Sequence, residues 1–306
     1  MKMNPAVIFL LLVIVEYSAS ENTGVLYPYG APLDKETMKA DDGASSAITA
    51  TVPVFGKQYL SIYVNNNGLL SFDVLLNNTF IQRFPFADGT LLAPFWADVN
   101  NEISGNIYYR MSQNSSLITQ NANDLASYFP GISYTPKWVL VATWDKVAFY
   151  KSATNRVNTF QAVLSSDETM TFVMYNYAEI EWTTGTNQGG NSEGLSDGDG
   201  SIPALAGGNN GATISYFEIP GSLTSAIINI TTTSNVEVPG RWVFRVDESK
   251  VISPNVISTK VNQPSYPWMI HWNKTLKDNE YIILVKQTNL HVLKASHIVG
   301  STMEQG

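Results

Sequence analysis

Hydrophobic residues along the chain gather in short runs, and most of those runs alternate or stop abruptly at Asn, Asp or Gly. The sharpest is Leu91–Asn101, LLAPFWADVNN, apolar as far as Ala97 and then broken by Asp98, Asn100 and Asn101. An apolar run this short, closed by Asp and Asn, predicts a buried strand that leads into a loop. Phe95 and Trp96 are its natural core anchors. Asp98 falls where core meets loop, so its carboxylate must reach water or accept hydrogen bonds. Its simplest role is to tie down loop amides, with a metal ligand or a catalytic acid as alternatives. Upstream, Tyr59–Val64 alternates Leu60, Ile62 and Val64 with Tyr59, Ser61 and Tyr63, the two-residue period of a half-buried strand. Asn65–Gly68, NNNG, supplies residues that tolerate positive φ, so Leu69–Phe72 is predicted to fold back as the partner strand.

The same signals continue downstream. Val52–Phe55, Gly105–Arg110, Trp138–Trp144, Phe160–Leu164, Thr171–Tyr177, Ser215–Ile219, Ala226–Thr231 and Trp242–Val246 are predicted strands, with a hairpin turn at Ser165–Glu168. Ser115–Phe129 is the helix candidate, because Leu117, Leu125 and Phe129 share one face and Pro130-Gly131 follows. Thr183–Gly211 holds nine glycines and few large apolar residues, which predicts a long loop. The fold class is therefore mainly β: an antiparallel β-sandwich-like single domain with one or two short helices.

Composition narrows the chemistry. The 306 residues contain no Cys, which excludes disulfides, thiol nucleophiles and zinc ribbons. All three His (His271, His291, His297) lie beyond residue 270, so the body has no imidazole. Residues 1–249 hold 12 Lys/Arg against 23 Asp/Glu, an acidic balance that argues against nucleic acid. Residues 250–306 reverse it, with 6 Lys and 3 acids. Lys2, the apolar stretch Ala6–Val15 and the small residues Ser18–Ser20 predict a signal peptide over residues 1–20. The apolar stretch is too short to span a bilayer, so secretion without membrane insertion is expected. The domain is then expected over 21–249, and 250–306 is read as a poorly ordered tail.

No motif satisfies a catalytic pattern completely. Gly194–Gly198, GLSDG, matches a nucleophile elbow, but Ser196 has neither a following helix nor a nearby His. Asp197 and Asp199 invite calcium without the EF-hand spacing. Asp98, Asn100 and Glu102 are weak metal candidates on one post-strand loop, and no tight site and no cofactor are expected. Glu179 and Glu181, beside Trp182, are the alternative as a carboxylate pair. With Asp98 and Asn100 they keep open a carbohydrate-binding or glycoside-cleaving β-sandwich. Sequons for glycosylation stand at Asn77, Asn114, Asn229 and Asn273.

Several phrases, in order, resemble the NIDO domain, the extracellular nidogen-homology module. They are Leu26–Gly30 LYPYG, Asp41–Gly43 DDG, Ile62–Phe72 IYVNNNGLLSF, Ala93–Val99 APFWADV, Ile107–Arg110 IYYR, Thr143–Asp145 TWD, Asn158–Leu164 NTFQAVL, Ile180–Gly185 IEWTTG, Ile219–Ser222 IPGS and Pro239–Asp247 PGRWVFRVD. The match covers roughly residues 25–248 and is most similar to the branch of alpha-tectorin and the sushi/nidogen/EGF-like proteins. The resemblance implies a non-catalytic extracellular-matrix module for cell–matrix adhesion or matrix assembly. Its implied partners are matrix or cell-surface proteins, with glycans as a further class. It carries no binding residues over to this chain.

Overall fold

Two antiparallel sheets carry the structure, a computed structural model that describes residues 24–76, 81–211 and 215–254. In chain order the strands are β1 (Lys35–Glu36), β2 (Ile48–Val54), β3 (Lys57–Asn65), β4 (Leu69–Phe72), β5 (Thr90–Trp96), β6 (Val99–Asn100), β7 (Asn106–Ser112), β8 (Trp138–Phe149), β9 (Asn158–Ser166), β10 (Thr171–Ile180), β11 (Leu205–Asn210), β12 (Tyr216–Glu218) and β13 (Arg241–Arg245). One α-helix, α1 (Ser115–Tyr128), lies between β7 and β8. The first sheet runs β1-β7-β8-β9-β10-β13, with β6 pairing separately on β8; the second runs β12-β11-β5-β4-β3-β2.

The layers follow from the alternation of side chains. Val52, Ile62, Val64, Leu70, Leu92 and Phe95 of the second sheet share one buried cluster with Leu140, Trp144, Phe160, Leu164, Tyr175 and Phe244 of the first. This is the core of a sandwich, with its inner faces apolar and every second residue turned outward. The outer face of the first sheet is covered by α1, whose Leu117, Leu125 and Phe129 pack on Val139, Val141, Phe172 and Val243. The outer face of the second is covered by the loop before β5. There Leu76, Ile81, Phe84 and Phe86 bury Leu69, Leu91, Ala93 and Trp96. Neighbours in β5 therefore serve opposite layers: Phe95 faces the sandwich core and Trp96 the loop.

Polar tips of large aromatics bridge the sheets. The Tyr175 hydroxyl donates to Gly207 O at 2.8 Å and the Tyr177 hydroxyl to Pro94 O at 2.6 Å. The Trp144 indole donates to Asn65 O and Asn66 O in the β3–β4 turn. A polar row crosses the outer face of the first sheet. Thr143, Gln161, Asn176 and Arg241 are successive cross-strand partners on β8, β9, β10 and β13. Gln161 donates to Thr143 Oγ1 and accepts from Asn176 Nδ2, whose Oδ1 accepts from Arg241 Nε at 2.8 Å. The same row holds the LYPYG segment. Tyr27 N and O bond Gln161 at 2.9 and 3.0 Å, and Arg241 Nη2 donates to Val25 O at 2.6 Å. The Tyr27 hydroxyl then donates to Asp124 on α1 at 2.6 Å. Every buried polar group of the row is thus answered by another, which is what makes its burial tolerable.

The predicted hairpin, helix and long strand all form. Asn65 pairs with Leu69 across the NNNG turn. Helix α1 is capped by the Asn114 side chain, which accepts from Ser116 N at 2.9 Å. Two predictions are corrected. The glycine-rich loop hides β11, an entirely buried strand between β5 and β12. Its glycines are there for space: a Cβ on Gly207 would stand 2.1 Å from Phe217 O, and one on Gly208 2.7 Å from Leu92 Cδ2. Ala226–Thr231, read as a strand from its branched residues, lies in a 3-10 helix over Ser225–Thr231. Ile227 and Ile230 are its buried residues, and their three-residue spacing is the 3-10 period.

At the far end, Phe55 N and Gly56 N donate to Val246 O and Asp247 O, which ties β2 to the end of β13. Ile252 then pairs with Arg245 through two backbone bonds of 2.9 and 3.0 Å, and Val251 and Ile252 pack against the cores. The sequence boundary at Ser249 falls inside this pairing. A chain ending at Ser249 is expected to lose roughly 2 kcal/mol, two net hydrogen bonds' worth, and to melt several degrees lower. A chain ending at Pro254 is expected to melt with the full chain, as thermal unfolding would show. The predicted signal peptide and the tail beyond Pro254 lie outside the described residues.

Candidate functional site

Three of the phrases quoted above meet at one corner of the sandwich. The β3–β4 turn presents Asn66 and Asn67, the bend after β5 presents Asp98, and the DDG loop lies over both. Asn67 holds the corner together: its Nδ2 donates to Asp42 Oδ1 at 2.8 Å and its Oδ1 accepts from Val99 N at 2.9 Å. Asn66 Nδ2 reaches Met38 O, Ala40 O and Asn101 Oδ1. Asn100 Nδ2 donates to Asp41 Oδ1 at 2.9 Å, while its own Oδ1 accepts from Glu102 N. A fourth segment closes the far side, where a Cβ on Gly185 would stand 3.0 Å from Asp98 Cβ and 2.6 Å from Gln188 Oε1.

Asp98 has no exposed surface. It does not tie down loop amides as the sequence predicts. Tyr150 N donates at 2.9 Å to its main-chain oxygen, and neither carboxylate oxygen has a hydrogen-bond partner of acceptable geometry. Burial, then the charges of Asp41 and Asp42, push its carboxyl up to about 7, against the weaker opposing pull of the Asn187 and Gln188 side chains. Asp41 is raised as well, by burial and by Asp42 and Glu102, with Lys151 opposing. A carboxyl raised in the folded state contributes stability that is complete below its unfolded pKa and is lost as pH rises through its folded one. In calcium-free buffer the melting temperature is therefore expected to rise as pH falls from about 7.5 to about 5.5. Asp98→Asn is expected to flatten that rise, which calorimetry at several pH values measures.

The other candidates separate. Glu102 is exposed and Asn100 is spent on Asp41 and the Glu102 amide, so the sequence trio does not converge. Glu181 Oε2 accepts from Val157 N at 2.9 Å. Glu179, at the end of β10, is held above the usual carboxylate range by burial and by Glu181. Asp197 and Asp199 are exposed, and Ser196 sits in an isolated bridge with Gly190. Asn114 and Asn229 are exposed, while Asn77, Asn273 and the three His lie outside the described residues. No three His, Cys, Asp or Glu side chains among the described residues form a ready metal cage. Among these residues no helix is long and apolar enough to cross a membrane. Asp41 and Asp42 were missed as charged neighbours of Asp98 because spacing within one loop cannot reveal a residue from another.

Residues 60–248 match the nidogen-like domain, and the chain belongs to that family. It is 45% identical to mouse alpha-tectorin over 76% of its own length, and 43% identical to human alpha-tectorin over 80%. Mouse nidogen-2 is 28% identical over 79% of the chain. The chain spans only 11% of either alpha-tectorin and 18% of nidogen-2. No solved structure matches.

Proposed function

We propose that the protein is a secreted, non-catalytic module of the extracellular matrix that acts in cell–matrix adhesion or matrix assembly by binding matrix or cell-surface proteins. The observation that carries this reading is the nidogen-like match over residues 60–248, with the alpha-tectorins and nidogens as relatives. The predicted signal peptide supports the location. Glu181, one of the paired carboxylates, accepts from the Val157 amide, which favours a structural role for it. In a secreted chain Asn114 is a natural glycan acceptor: its Oδ1 caps α1, and glycan attachment uses Nδ2.

The test is saturable retention of purified, labelled protein on cell-derived matrix, displaced by excess unlabelled protein and abolished by mild protease treatment of the matrix. Retention lost only after glycosidase treatment would favour glycan over protein partners. The competing reading, a glycoside-cleaving sandwich, rests on the raised carboxyl of Glu179 beside Glu181. Turnover in a hydrolysis panel that disappears in Glu181→Gln would overturn the module reading.

A further inference from the structure

We propose that the corner where the DDG loop, the β3–β4 turn and the bend after β5 meet is a calcium site, with Asp98 as its central ligand and Asp41 and Asp42 as its acidic rim. The inference does not depend on the matrix reading above. Its starting point is Asp98, a fully buried carboxylate whose two oxygens have no hydrogen-bond partner of acceptable geometry, with only the Asn187 and Gln188 side-chain amides placed to offset its charge. Burial without a partner is costly for a charged carboxylate, and the surroundings make it worse, because Asp41 and Asp42 add charge of the same sign. Lys151, which faces Asp41, is the opposing cation at the corner. Two further buried side-chain oxygens in the same turn, Asn65 Oδ1 and Asn66 Oδ1, also lack donors.

The chemistry selects the ion. The ligands are all oxygens, and the chain contains no Cys, so a hard cation fits and a zinc-type ion does not. Calcium accepts a mixture of carboxylate, amide and backbone oxygens with water, whereas magnesium demands a near-ideal octahedron. Because no three acidic side chains among the described residues form a cage unaided, amide oxygens and water complete the shell. That places the affinity in the weak range of extracellular modules, roughly 10⁻⁴ to 10⁻³ M. The rim is already positioned, since Asn100 holds Asp41 and Asn67 holds Asp42 by their Oδ1 atoms.

The experiment uses the secreted full chain, stripped with chelator at about pH 7.5. A few millimolar calcium is expected to raise the melting temperature by roughly 3–6 °C, and the same magnesium concentration by much less. Equilibrium dialysis with radioactive calcium is expected to find one ion per chain. In Asp98→Asn the calcium response should vanish, while the chelated variant melts at or above the chelated parent, because a buried charge has gone. A merely structural Asp98 would instead lower both melting points equally. Should Asp98→Asn not be secreted, Asp42→Asn, at an exposed position, is expected to weaken calcium binding several-fold with little change in the chelated melting point. The proposal is overturned by a parent chain that binds no calcium. It is equally overturned by a calcium response that survives Asp98→Asn, or by stabilisation with acid alone and none with calcium at any pH.

Discussion

Trp96→Ala is expected to abolish secretion of folded protein. Trp96 is fully buried beneath the loop before β5 and packs edge-on against Phe86, with ring centroids 5.4 Å apart at 72°. Removing a core Trp typically costs about 3–5 kcal/mol, a large fraction of the 5–15 kcal/mol that holds a typical domain together. The loss is concentrated, because Trp96 is the largest side chain in the cluster that joins that loop to the second sheet. Secretion yield and thermal unfolding measure it, with Leu60→Ala as the control. Leu60 lies on β3, beyond β4 in the same sheet, and is 64% exposed, so its truncation should leave both readings nearly unchanged. Normal secretion and an unchanged melting temperature for Trp96→Ala would refute its role as an anchor.

Gly68→Ala is expected to be as damaging, by a different route. Gly68 ends the NNNG turn at φ +79°, a region that L side chains rarely enter. A Cβ there would stand 1.9 Å from Phe95 O and 2.8 Å from Phe95 C. Both atoms are backbone of the adjacent strand, and Phe95 N already donates to Gly68 O. No flexible side chain can move aside, so the turn must leave β5 or the sheet must open. The cost should exceed the roughly 1–3 kcal/mol of ordinary overpacking. The contrast is Gly198→Ala, also at positive φ but with nothing within 4 Å of the added carbon. It should cost only the local backbone strain, about 1 kcal/mol. Comparable secretion of the two variants would remove close approach as the reason for Gly68.

The elements that were legible in the sequence are those whose signal is local. The Asn65–Gly68 hairpin announces its turn, α1 announces its face through Leu117, Leu125 and Phe129, and β8 announces itself by branched and aromatic density. β11 is the opposite case. Its strand character comes from pairing with β5 and β12, while its composition is dictated by Phe217 and Leu92, which occupy the space a side chain would need. Tertiary contact overrode propensity there. The 3-10 helix failed for a subtler reason: Ile227, Ile228 and Ile230 are β-branched, but Thr224 caps the segment by accepting from Ala226 N, and a three-residue period carries the burial. For the candidate site, Asp98 stood out in the sequence because it interrupts an apolar run. Its neighbours did not, because Asp41 and Asp42 arrive from a distant segment through the side chains of Asn67 and Asn100.

The polar row across β8, β9, β10 and β13 has a consequence for the order in which the molecule can be completed. Val25 and Tyr27 are made early, yet their partners are Gln161 and Arg241, and Arg241 belongs to the last of the described strands. This early segment must therefore wait, unpaired, through the synthesis of more than two hundred residues before its seat exists. During that interval Gln161 and Asn176 also lack a full set of partners on a surface destined for burial. The segment then acts as a closing seal, set only once β13 has docked. A chain stalled before Arg241 would leave both the seal and its seat exposed, a pair of features by which chaperones that bind unfinished chains would recognise it.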